Sequence, residues 1–412
     1  MKILIYTSMY YIGREKQNFS LVSELRSRGH YVIYAAPTDQ LKISNDPGFP
    51  KEFQNENDFI KHNTKWINSA NEMFRLINKC NVFIVGNARG LGRFVEYARE
   101  KNKIIIQIMD VSSFDHMNFE PNIFCTISEK FKDAFLKNFD YPSYKVIITG
   151  SLQFDAAYQD YYVDLDRDHF CHQYNLDPSK KIALWLPTAP ATLWDNRKKI
   201  YKKVCEIISE SGYNLLIKGH PWDYLKRKTN TQFPETPNSH SWEILAPEAP
   251  INLPNDFYRA IYFCDVGVSS NSSVCIEFPL FHKPFIFVER YESYLIPDFK
   301  TDIEFPIDKS NIPGCHKFDI HDNMIRMIED GLKCVSPNGY TNPSYYNEPN
   351  LEFIGIDVKL SNLKNSLENQ SYLVKDSKIY DQYIREWCYK NDGKSYTRIA
   401  DAVDEYLIKI RR

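Results

Sequence analysis

The sequence lacks the cysteine pairs that mark a metal site or a disulfide framework. It contains nine cysteines in 412 residues, and none forms a Cys-x-x-Cys pair. Several lie inside apolar runs, where cysteine behaves as a small hydrophobic residue. We therefore expect no metal and no other cofactor. Scattered thiols of this kind are typical of proteins from the reducing cytosol.

The sequence also lacks an excess of one charge and a long apolar run. Lysine plus arginine number 51 and aspartate plus glutamate 53, a formal net charge of -2, which argues against a general nucleic-acid binder. No stretch approaches the length that spans a bilayer. The run Met1–Tyr6 is short and holds one lysine, so we interpret it as a first strand and not as a signal peptide. We expect a cytoplasmic protein, and docking at the inner face of the cell membrane stays open.

Several familiar motifs are missing as well. The sequence has no Walker, GxSxG or HExxH motif. The glycine-rich run 86–92 lacks GxGxxG spacing, so it only weakly indicates dinucleotide binding. Asp164 and Asp166 have the spacing of a metal-binding D-x-D motif. They lie in an irregular segment without flanking strands, and we discount them.

Short apolar strands alternate with helical segments along most of the chain. Continuous apolar strands separated by helices indicate a parallel sheet that is covered on both faces. The alternation stops in the polar segment 151–179 and then resumes, so we predict two doubly wound α/β domains. The predicted strands are residues 2–6, 31–35, 82–85, 103–108 and 145–148, then 181–186, 214–217, 265–269 and 284–288.

The break in this alternation also sets the expected domain limits. We expect an N-terminal Rossmann-like domain in residues 1–160. A second Rossmann-like domain follows in residues 161–375, and a helical segment in residues 376–412. Open α/β sheets bind ligands at the carboxyl ends of their strands. Functional side chains are therefore expected in loops that follow strands, at a cleft between the two domains.

The tetrapeptide from Lys218 to Pro221 directly follows a predicted strand. Pro221 fixes the turn and holds His220 in an extended conformation. His220 can then donate a hydrogen bond to a phosphate oxygen, and Lys218 adds positive charge. A surface turn with an incidental histidine fits the same pattern. Thr188 likewise follows the strand 181–186, where the cleft would open, although a strand-ending turn alone would explain it.

A serine cluster follows another predicted strand and precedes a predicted helix that begins near Ser273. Hydroxyl groups and free backbone N–H groups at a helix N-terminus bind anions, so Ser269, Ser272 and Ser273 are candidates for phosphate binding. Glu277 would share one face of an α-helix with Ser273, and its carboxylate could accept hydrogen bonds from a ribose. The alternative is a serine-rich N-cap with a solvated glutamate.

The run from Asp265 to Phe278, continuing through Lys283–Phe287, resembles the CDP-glycerol glycerophosphotransferase family of teichoic-acid and capsule polymerases, within the GT-B superfamily. The shared features are a Ser-Ser pair, an acidic residue about four positions later, and a Lys-Pro strand. The resemblance extends over roughly residues 100–400. Three further segments are similar: Leu186–Thr188, Ser128–Gly150 with Asp155, and Asp392–Lys394 with Arg398 and Ile399.

The resemblance implies the GT-B fold, with two doubly wound Rossmann-like domains facing a central cleft. The N-terminal domain, residues 1–160, would lie on the acceptor side, and the domain of residues 161–375 would bind the nucleotide donor. It implies a metal-independent transfer of a glycosyl or glycerol-phosphate group from a nucleotide-activated donor. His220, Ser272 and Ser273 would hold the donor phosphates, and Glu277 its ribose. The implied partners are this donor and a saccharide or polyol-phosphate acceptor, free or lipid-linked, and no nucleic acid.

The sequence departs from the family where a catalytic histidine commonly follows the strand matching residues 103–108. This position reads Met-Asp-Val here. We expect Asp110 to replace the histidine as general base, with Asp115 and His116 as alternatives.

Three other functions stay open. The Lys-x-His-Pro form also resembles Kdo transferases and polysialyltransferases, which use CMP-activated sugars. UDP-N-acetylglucosamine 2-epimerases share the fold and similar phosphate-binding loops. A non-catalytic partner in a capsule assembly complex would need neither an acceptor nor a base.

Overall fold

The chain folds into two compact units. The computed structural model describes residues 1–6, 18–37, 63–86, 92–109, 121–138, 141–187, 195–218, 251–252, 257–270, 273–288, 355–369 and 376–411. The described residues of Met1–Ala156 and Tyr383–Arg412 form the first unit, and those of Ala157–Ile307 and Glu348–Gln382 form the second. The domain limits expected from the sequence stay a prediction.

The first unit is built on a parallel sheet whose strands have the order β3-β2-β1-β4-β5-β6-β7. Its strands are β1 (Lys2–Tyr6), β2 (Tyr31–Pro37), β3 (Lys65–Ile67), β4 (Val82–Val85), β5 (Ile104–Ile108), β6 (Ile123–Thr126) and β7 (Val146–Ile148). The helices between and after them are α1 (Asn18–Ser27), α2 (Ala70–Lys79), α3 (Gly92–Glu100), α4 (Glu129–Asn138) and α5 (Leu152–Asp155).

The second unit repeats this design with a parallel sheet of order β10-β9-β8-β11-β12-β13. Its strands are β8 (Ile182–Trp185), β9 (Asn214–Lys218), β10 (Ile251–Asn252), β11 (Val266–Ser269), β12 (Phe285–Val288) and β13 (Ile356–Val358). Its helices are α6 (Arg167–Gln173), α7 (Asp195–Glu210), α8 (Phe257–Phe263), α9 (Leu363–Glu368) and α10 (Ser377–Tyr383), with the 3-10 helices Gln159–Tyr161, Ser273–Phe281 and Leu360–Asn362.

Helices after α10 belong to the first unit. They are the π-helix Ile384–Cys388 and α11 (Ser395–Arg411). The C-terminal part of the chain is helical, as predicted.

The predicted strands are confirmed, each within a residue or two of its expected limits. Continuous apolar strands are buried on both faces, as all four residues of β4 show. Strands β3, β6, β10 and β13 were not anticipated. They are two to four residues long.

The segment 151–179 is not the irregular connector that its composition suggested. It contains α5, the 3-10 helix Gln159–Tyr161 and α6. Asp166 accepts a hydrogen bond from the backbone N–H of Asp168 at 2.9 Å and so caps the N-terminus of α6. A helix cap therefore accounts for the second aspartate of the D-x-D spacing.

The cysteines of the described segments are free and buried. Burial raises the pKa of Cys125 and of Cys264 to about 12, so both thiols stay protonated at neutral pH. The prediction that they act as small hydrophobic residues is confirmed, while Cys315 and Cys334 lie outside the described residues. No helix in the described part of the chain has both the length and the apolar character needed to cross a membrane.

Candidate functional site

The second unit holds the predicted site residues that the structure describes. Lys218, Ser269 and Glu277 are described with their side chains, and Ser273 through its backbone. The other candidates lie outside the described residues and keep their predicted roles as predictions: Asp110, Thr188, His220 and Ser272, with the alternatives Asp115 and His116.

Strand register places Lys218 and Ser269 on one face of the second sheet. Leu184 in β8 pairs with Leu216 in β9 and with Gly267 in β11. Paired residues of parallel strands point to the same face, and so do residues two apart along one strand. Lys218 and Ser269 lie two residues beyond Leu216 and Gly267, at the carboxyl ends of their strands. This is the edge at which doubly wound sheets bind ligands.

Ser269 uses its hydroxyl proton within the protein. Its Oγ donates to the carbonyl oxygen of Leu186 at 2.5 Å, and the Leu186 N–H donates to the Val268 carbonyl at 2.8 Å. These bonds join the carboxyl ends of β8 and β11. A phosphate group accepts hydrogen bonds, and this hydroxyl has only one proton to donate, which goes to Leu186. The contact therefore suits a residue that holds the ends of β8 and β11 together.

The helix after β11 is a 3-10 helix, Ser273–Phe281, and not the predicted α-helix. Pro279 lies inside it and lacks the N–H that an α-helical hydrogen bond requires. A 3-10 helix has three residues per turn, so positions 273 and 276 share a face and positions 273 and 277 do not. The predicted shared face of Ser273 and Glu277 is therefore wrong.

Close packing fixes this 3-10 helix on the sheet. A Cβ atom on Gly267 would lie 2.5 Å from Phe285 Cδ2 and closer still to Phe278 Cε1. The Phe278 and Phe285 rings meet edge to face, with centroids 4.7 Å apart. Only glycine allows so close an approach. The residue next to Phe278 in the helix is Glu277, so this packing also fixes the position of Glu277.

Glu277 is buried among tyrosines. It is 2% exposed, which excludes the solvated glutamate considered above. The Tyr258 hydroxyl donates to Glu277 Oε1 at 3.4 Å. Burial, together with the nearby Glu277 charge, raises the pKa of Tyr162, and the Tyr162 ring packs against Phe281 with centroids 5.6 Å apart. The carboxylate thus lies in a buried environment of low dielectric constant, close to two tyrosine side chains.

Lys218 brings a positive charge to the same region. Burial lowers its pKa to about 8, and the Glu277 carboxylate opposes this shift. The Nζ atom lies 4.7 Å from the centroid of the Phe257 ring, a cation–π contact. Most Lys218 side chains remain protonated at pH 7, in an environment where a charge interacts more strongly than in water.

The arrangement suits a ligand with an anionic group next to hydroxyl groups. A poorly solvated ammonium group gains from pairing with an anion, and a buried carboxylate accepts hydrogen bonds from hydroxyls. In the segments that the structure describes, no cluster of three or more histidine, cysteine, aspartate or glutamate side chains is placed to hold a metal ion.

Three aromatic residues of this site were not predicted. Phe257 and Tyr258 begin α8, and Tyr162 follows the 3-10 helix Gln159–Tyr161. The aromatic run Phe-Tyr-Arg-Ala-Ile-Tyr-Phe directly before β11 was the available signal. A helix that precedes a strand of a doubly wound sheet packs on that sheet.

The chain resembles solved structures over its full length. No protein-family model and no curated protein sequence matches it. The S. aureus MnaA–UDP structure has a TM-score of 0.58 at 14% identity, covering 100% of this chain and 98% of that chain. The wall teichoic acid polymerase TagF has 0.57 at 12%, covering 100% and 90%. The UDP-GlcNAc 2-epimerase from Neisseria meningitidis bound to UDP-GlcNAc has 0.53 at 11%, covering 99% and 100%.

At these identities the likeness shows the fold alone. Together with two doubly wound parallel sheets, it defines the chain as a GT-B α/β protein.

Proposed function

We propose that the protein is a transferase that moves a glycosyl or glycerol-phosphate group from a nucleotide-activated, CDP-glycerol-like donor. The acceptor is a growing cell-surface polysaccharide or a teichoic-acid-like polymer. A lipid-linked acceptor would bring the protein to the inner face of the cell membrane. Support for the donor class comes from solved structures of the same fold that were determined with UDP, UDP-GlcNAc and CDPG.

The observation that carries the proposal is that the Lys218 ammonium and the Glu277 carboxylate lie close enough in the second unit for their charges to interact. A nucleotide donor offers an anionic phosphate and a ribose diol at adjoining positions. Lys218 provides the positive charge, and Glu277 is a buried acceptor close enough to shift the pKa of Lys218. Both residues lie in the unit that the sequence assigned to donor binding.

The proposed reaction is an in-line displacement. A carboxylate, assigned to Asp110 by the sequence, takes the proton of an acceptor hydroxyl. The acceptor oxygen then bonds to the transferred group as the bond from that group to the donor phosphate breaks. The electron pair leaves with the nucleotide phosphate. Lys218 stabilises this charge, with His220 and the hydroxyls of Ser272 and Ser273 in the roles that the resemblance implies.

Thermal unfolding in the presence of nucleotides tests the donor site. CMP, CDP, UMP, UDP and GDP are each added to the wild type, His220→Ala, Lys218→Met and Lys203→Met. Lys203 is a matched control, because it is a surface lysine whose partner is Glu206 at 3.0 Å. A ligand that binds only the folded state raises the melting temperature. We expect a cytidine nucleotide to do so in the wild type and in Lys203→Met, and much less in the two site variants.

The panel also separates the donor classes. Preference for CDP supports a CDP-glycerol-like donor, and preference for CMP supports a CMP-activated sugar such as Kdo or sialic acid. Preference for UDP points to UDP-sugar transfer or epimerisation. Stabilisation by no nucleotide would contradict the donor site and favour the non-catalytic role.

A second candidate function is isomerisation of a nucleotide sugar. Two structures of this fold that match with TM-scores above 0.5 are named as UDP-GlcNAc 2-epimerases. Such an enzyme needs no acceptor. Incubation with UDP-GlcNAc alone, followed by NMR, distinguishes the two reactions. Appearance of the C2 epimer without an acceptor supports the isomerase and contradicts the transferase.

A further inference from the structure

The large apolar side chains that are exposed in the described segments fall into two groups. One group lies in the first unit and consists of Tyr31, Tyr144, Ile408 and Ile410. The other lies in the second unit and consists of Tyr161, Val163 and Leu165. Single exposed apolar residues are ordinary on a protein surface, but a group at one place indicates a contact with something outside the chain.

The group in the first unit lies at the amino edge of the first sheet. Tyr144 is 68% exposed and belongs to the 3-10 helix Ser143–Lys145, which leads directly into β7. The end of α11 reaches the same edge, because the Tyr406 hydroxyl accepts a hydrogen bond at 3.1 Å from Nδ2 of Asn122, the residue before β6. Lys409 Nζ lies 4.9 Å from the centroid of the Tyr144 ring. The last turn of α11 and Tyr144 therefore form one surface.

This surface extends along the amino edge towards β2. Ile408 lies about one helical turn after Asp404, whose Oδ1 atom is 2.7 Å from His30 Nε2. Tyr31 follows His30 directly, is the first residue of β2 and is 63% exposed. The two isoleucines of the last turn of α11 are 54% and 49% exposed. We define the amino-edge surface as the exposed side chains of Tyr31, Tyr144, Ile408 and Ile410.

Lysines surround the amino-edge surface. They begin β1, come shortly before β4, β5 and β7, or lie in the last turn of α11: Lys2, Lys79, Lys101, Lys103, Lys145 and Lys409. The exposed carboxylates of Glu100 and Glu405 lie at this edge as well. Asp401 and Asp404 pair with Arg28, at 2.7 and 3.1 Å. The described part of this edge therefore has a net positive charge.

The exposed apolar group of the second unit has the opposite charge environment. Asp160, Asp164 and Asp166 lie next to its members in the sequence. Tyr161 and Val163 are each 58% exposed, close to the values for the amino-edge surface. The two groups therefore match in apolar exposure and differ in the sign of the charges around them.

We propose that the amino-edge surface docks the first unit on an anionic lipid bilayer. Tyrosine rings and aliphatic side chains enter the headgroup region of a bilayer. Lysine ammonium groups pair with the lipid phosphates while their alkyl stems lie along apolar surface. A protein partner fits this surface less well, because lysine is depleted at protein–protein interfaces. Docked by this edge, the first unit directs the carboxyl ends of its strands away from the lipid.

Co-sedimentation of the full chain with lipid vesicles measures this docking. The vesicles contain phosphatidylcholine alone, or phosphatidylglycerol mixed with phosphatidylcholine. The double variant Ile408→Gln/Ile410→Gln removes apolar side chains from the surface, and Lys145→Gln/Lys409→Gln removes two of its charges. None of these four side chains is buried, and glutamine is a good helix former, so both variants should fold.

Two matched controls come from the second unit. Val163→Gln/Leu165→Gln removes exposed apolar side chains that lie beside aspartates. Lys202→Gln/Lys203→Gln removes two exposed lysines of α7. The controls separate the amino-edge surface from a general effect of apolar area or of charge.

We expect the wild type and both controls to bind the vesicles that contain phosphatidylglycerol, and to bind phosphatidylcholine vesicles about tenfold less or weaker still. The partition coefficient should fall by about tenfold or more in Ile408→Gln/Ile410→Gln, because less apolar area is buried in the bilayer. It should fall by a similar factor in Lys145→Gln/Lys409→Gln, since each lysine contributes about fivefold. Raised salt should weaken the binding of the wild type.

Two vesicle results overturn the proposal: no binding of the wild type to phosphatidylglycerol vesicles, or unchanged binding in both amino-edge variants. Light scattering tests a second copy of the chain as the occupant. A wild-type dimer that Ile408→Gln/Ile410→Gln dissociates would assign the surface to that second copy and overturn the proposal as well.

The amino-edge surface does not depend on the proposed reaction, and nucleotide stabilisation of the same samples separates the two. Both amino-edge variants should keep the wild-type response to nucleotides, because their residues lie outside the unit that holds the donor site. If a nucleotide stabilises a protein that binds no vesicle, only the docking surface is wrong. If vesicles bind through this surface and no nucleotide stabilises the protein, the donor site is wrong and the docking surface stands.

Discussion

The carboxylate of Asp155 accepts a hydrogen bond from the backbone N–H of Ser395 at 2.9 Å, across 240 residues of sequence. Its second oxygen accepts from the Tyr396 N–H at 3.1 Å, so Asp155 caps the N-terminus of α11. Arg398 Nε donates to the Thr149 carbonyl at 2.7 Å in the same network. Two segments that carried the family resemblance thus join to hold α11 within the first unit. The residues of these two segments therefore have a structural role in the first unit.

Gly150 should not tolerate a side chain. Its φ is +83°, and a Cβ atom would lie 2.5 Å from Ser395 Oγ and 3.1 Å from Arg398 Nη2. Gly29 is the matched control, with φ +82° and nothing within 4 Å of its Cβ position. Gly29→Ala should cost about 1 kcal/mol from backbone strain alone. Gly150→Ala should cost about 1–3 kcal/mol more in urea unfolding. Equal losses of unfolding free energy in the two variants would show that the hydrogen-bond network around α11 accommodates the new methyl group without cost.

Asp392 should contribute to stability only above acidic pH. Burial acts to raise its pKa, but the hydrogen bonds and charge of Arg398 outweigh this, and the pKa of Asp392 is lowered. Arg398 Nη1 lies 3.0 and 2.8 Å from its two carboxylate oxygens. A lowered folded pKa gives stability that is present above the unfolded value of about 3.9. That stability is lost as the pH falls through the folded value.

Urea unfolding of the wild type and Asp392→Asn, at neutral and at acidic pH, tests this sign. The wild type should lose more stability on acidification than the variant does. Asp133→Asn, which changes an exposed carboxylate on α4, should follow the wild type. If the wild type and Asp392→Asn lose the same unfolding free energy on acidification, the assignment of a stabilising charge pair between Asp392 and Arg398 is contradicted.

Gly267→Ala should move the 3-10 helix that carries Glu277. The new methyl group would overlap Phe278 and Phe285, so the helix must shift away from the sheet. We expect a loss of about 1–3 kcal/mol in unfolding free energy and weaker nucleotide binding. Gly212→Ala has an open Cβ position in the turn before β9. It should lose some stability through its positive φ and bind nucleotide as the wild type does.

Local patterns predicted most of the sheet but not the surroundings of the site. Apolar runs such as β4 and β11 are recognisable as strands in the sequence. Because Lys218 and Ser269 come at the ends of two such strands, the sequence also placed them at a ligand-binding edge of the sheet. The 3-10 geometry depends on Pro279 together with the space above Gly267. Those packing details arise between strands and are not periodic in sequence. The approach of Tyr162 and Tyr258 to Glu277 is a long-range contact, which a single sequence does not encode in any local signal.

Anion binding by Lys218 should weaken as the pH rises through about 8. Burial lowers the pKa of Lys218 to about 8, so its cationic form is lost above that pH, well below the usual value for lysine of about 10.4. Where this one proton controls binding, the nucleotide Kd should rise up to about tenfold per pH unit above the pKa. Isothermal titration on both sides of pH 8 measures this dependence. Lys218→Met should bind weakly at every pH and show no such slope.

The lowered pKa of Lys218 also predicts how the free energy of unfolding changes with pH. Between pH 8 and about 10.4 the unfolded state binds more protons at Lys218 than the folded state does. Because stability rises with pH wherever the unfolded state is the more protonated, this residue should make the wild type gain stability relative to Lys218→Met across that window. Lys203→Met, at the surface of α7, should keep the wild-type slopes in both experiments. A nucleotide Kd that is flat through pH 8, with binding intact, would mean that Lys218 is not the cation that holds the phosphate.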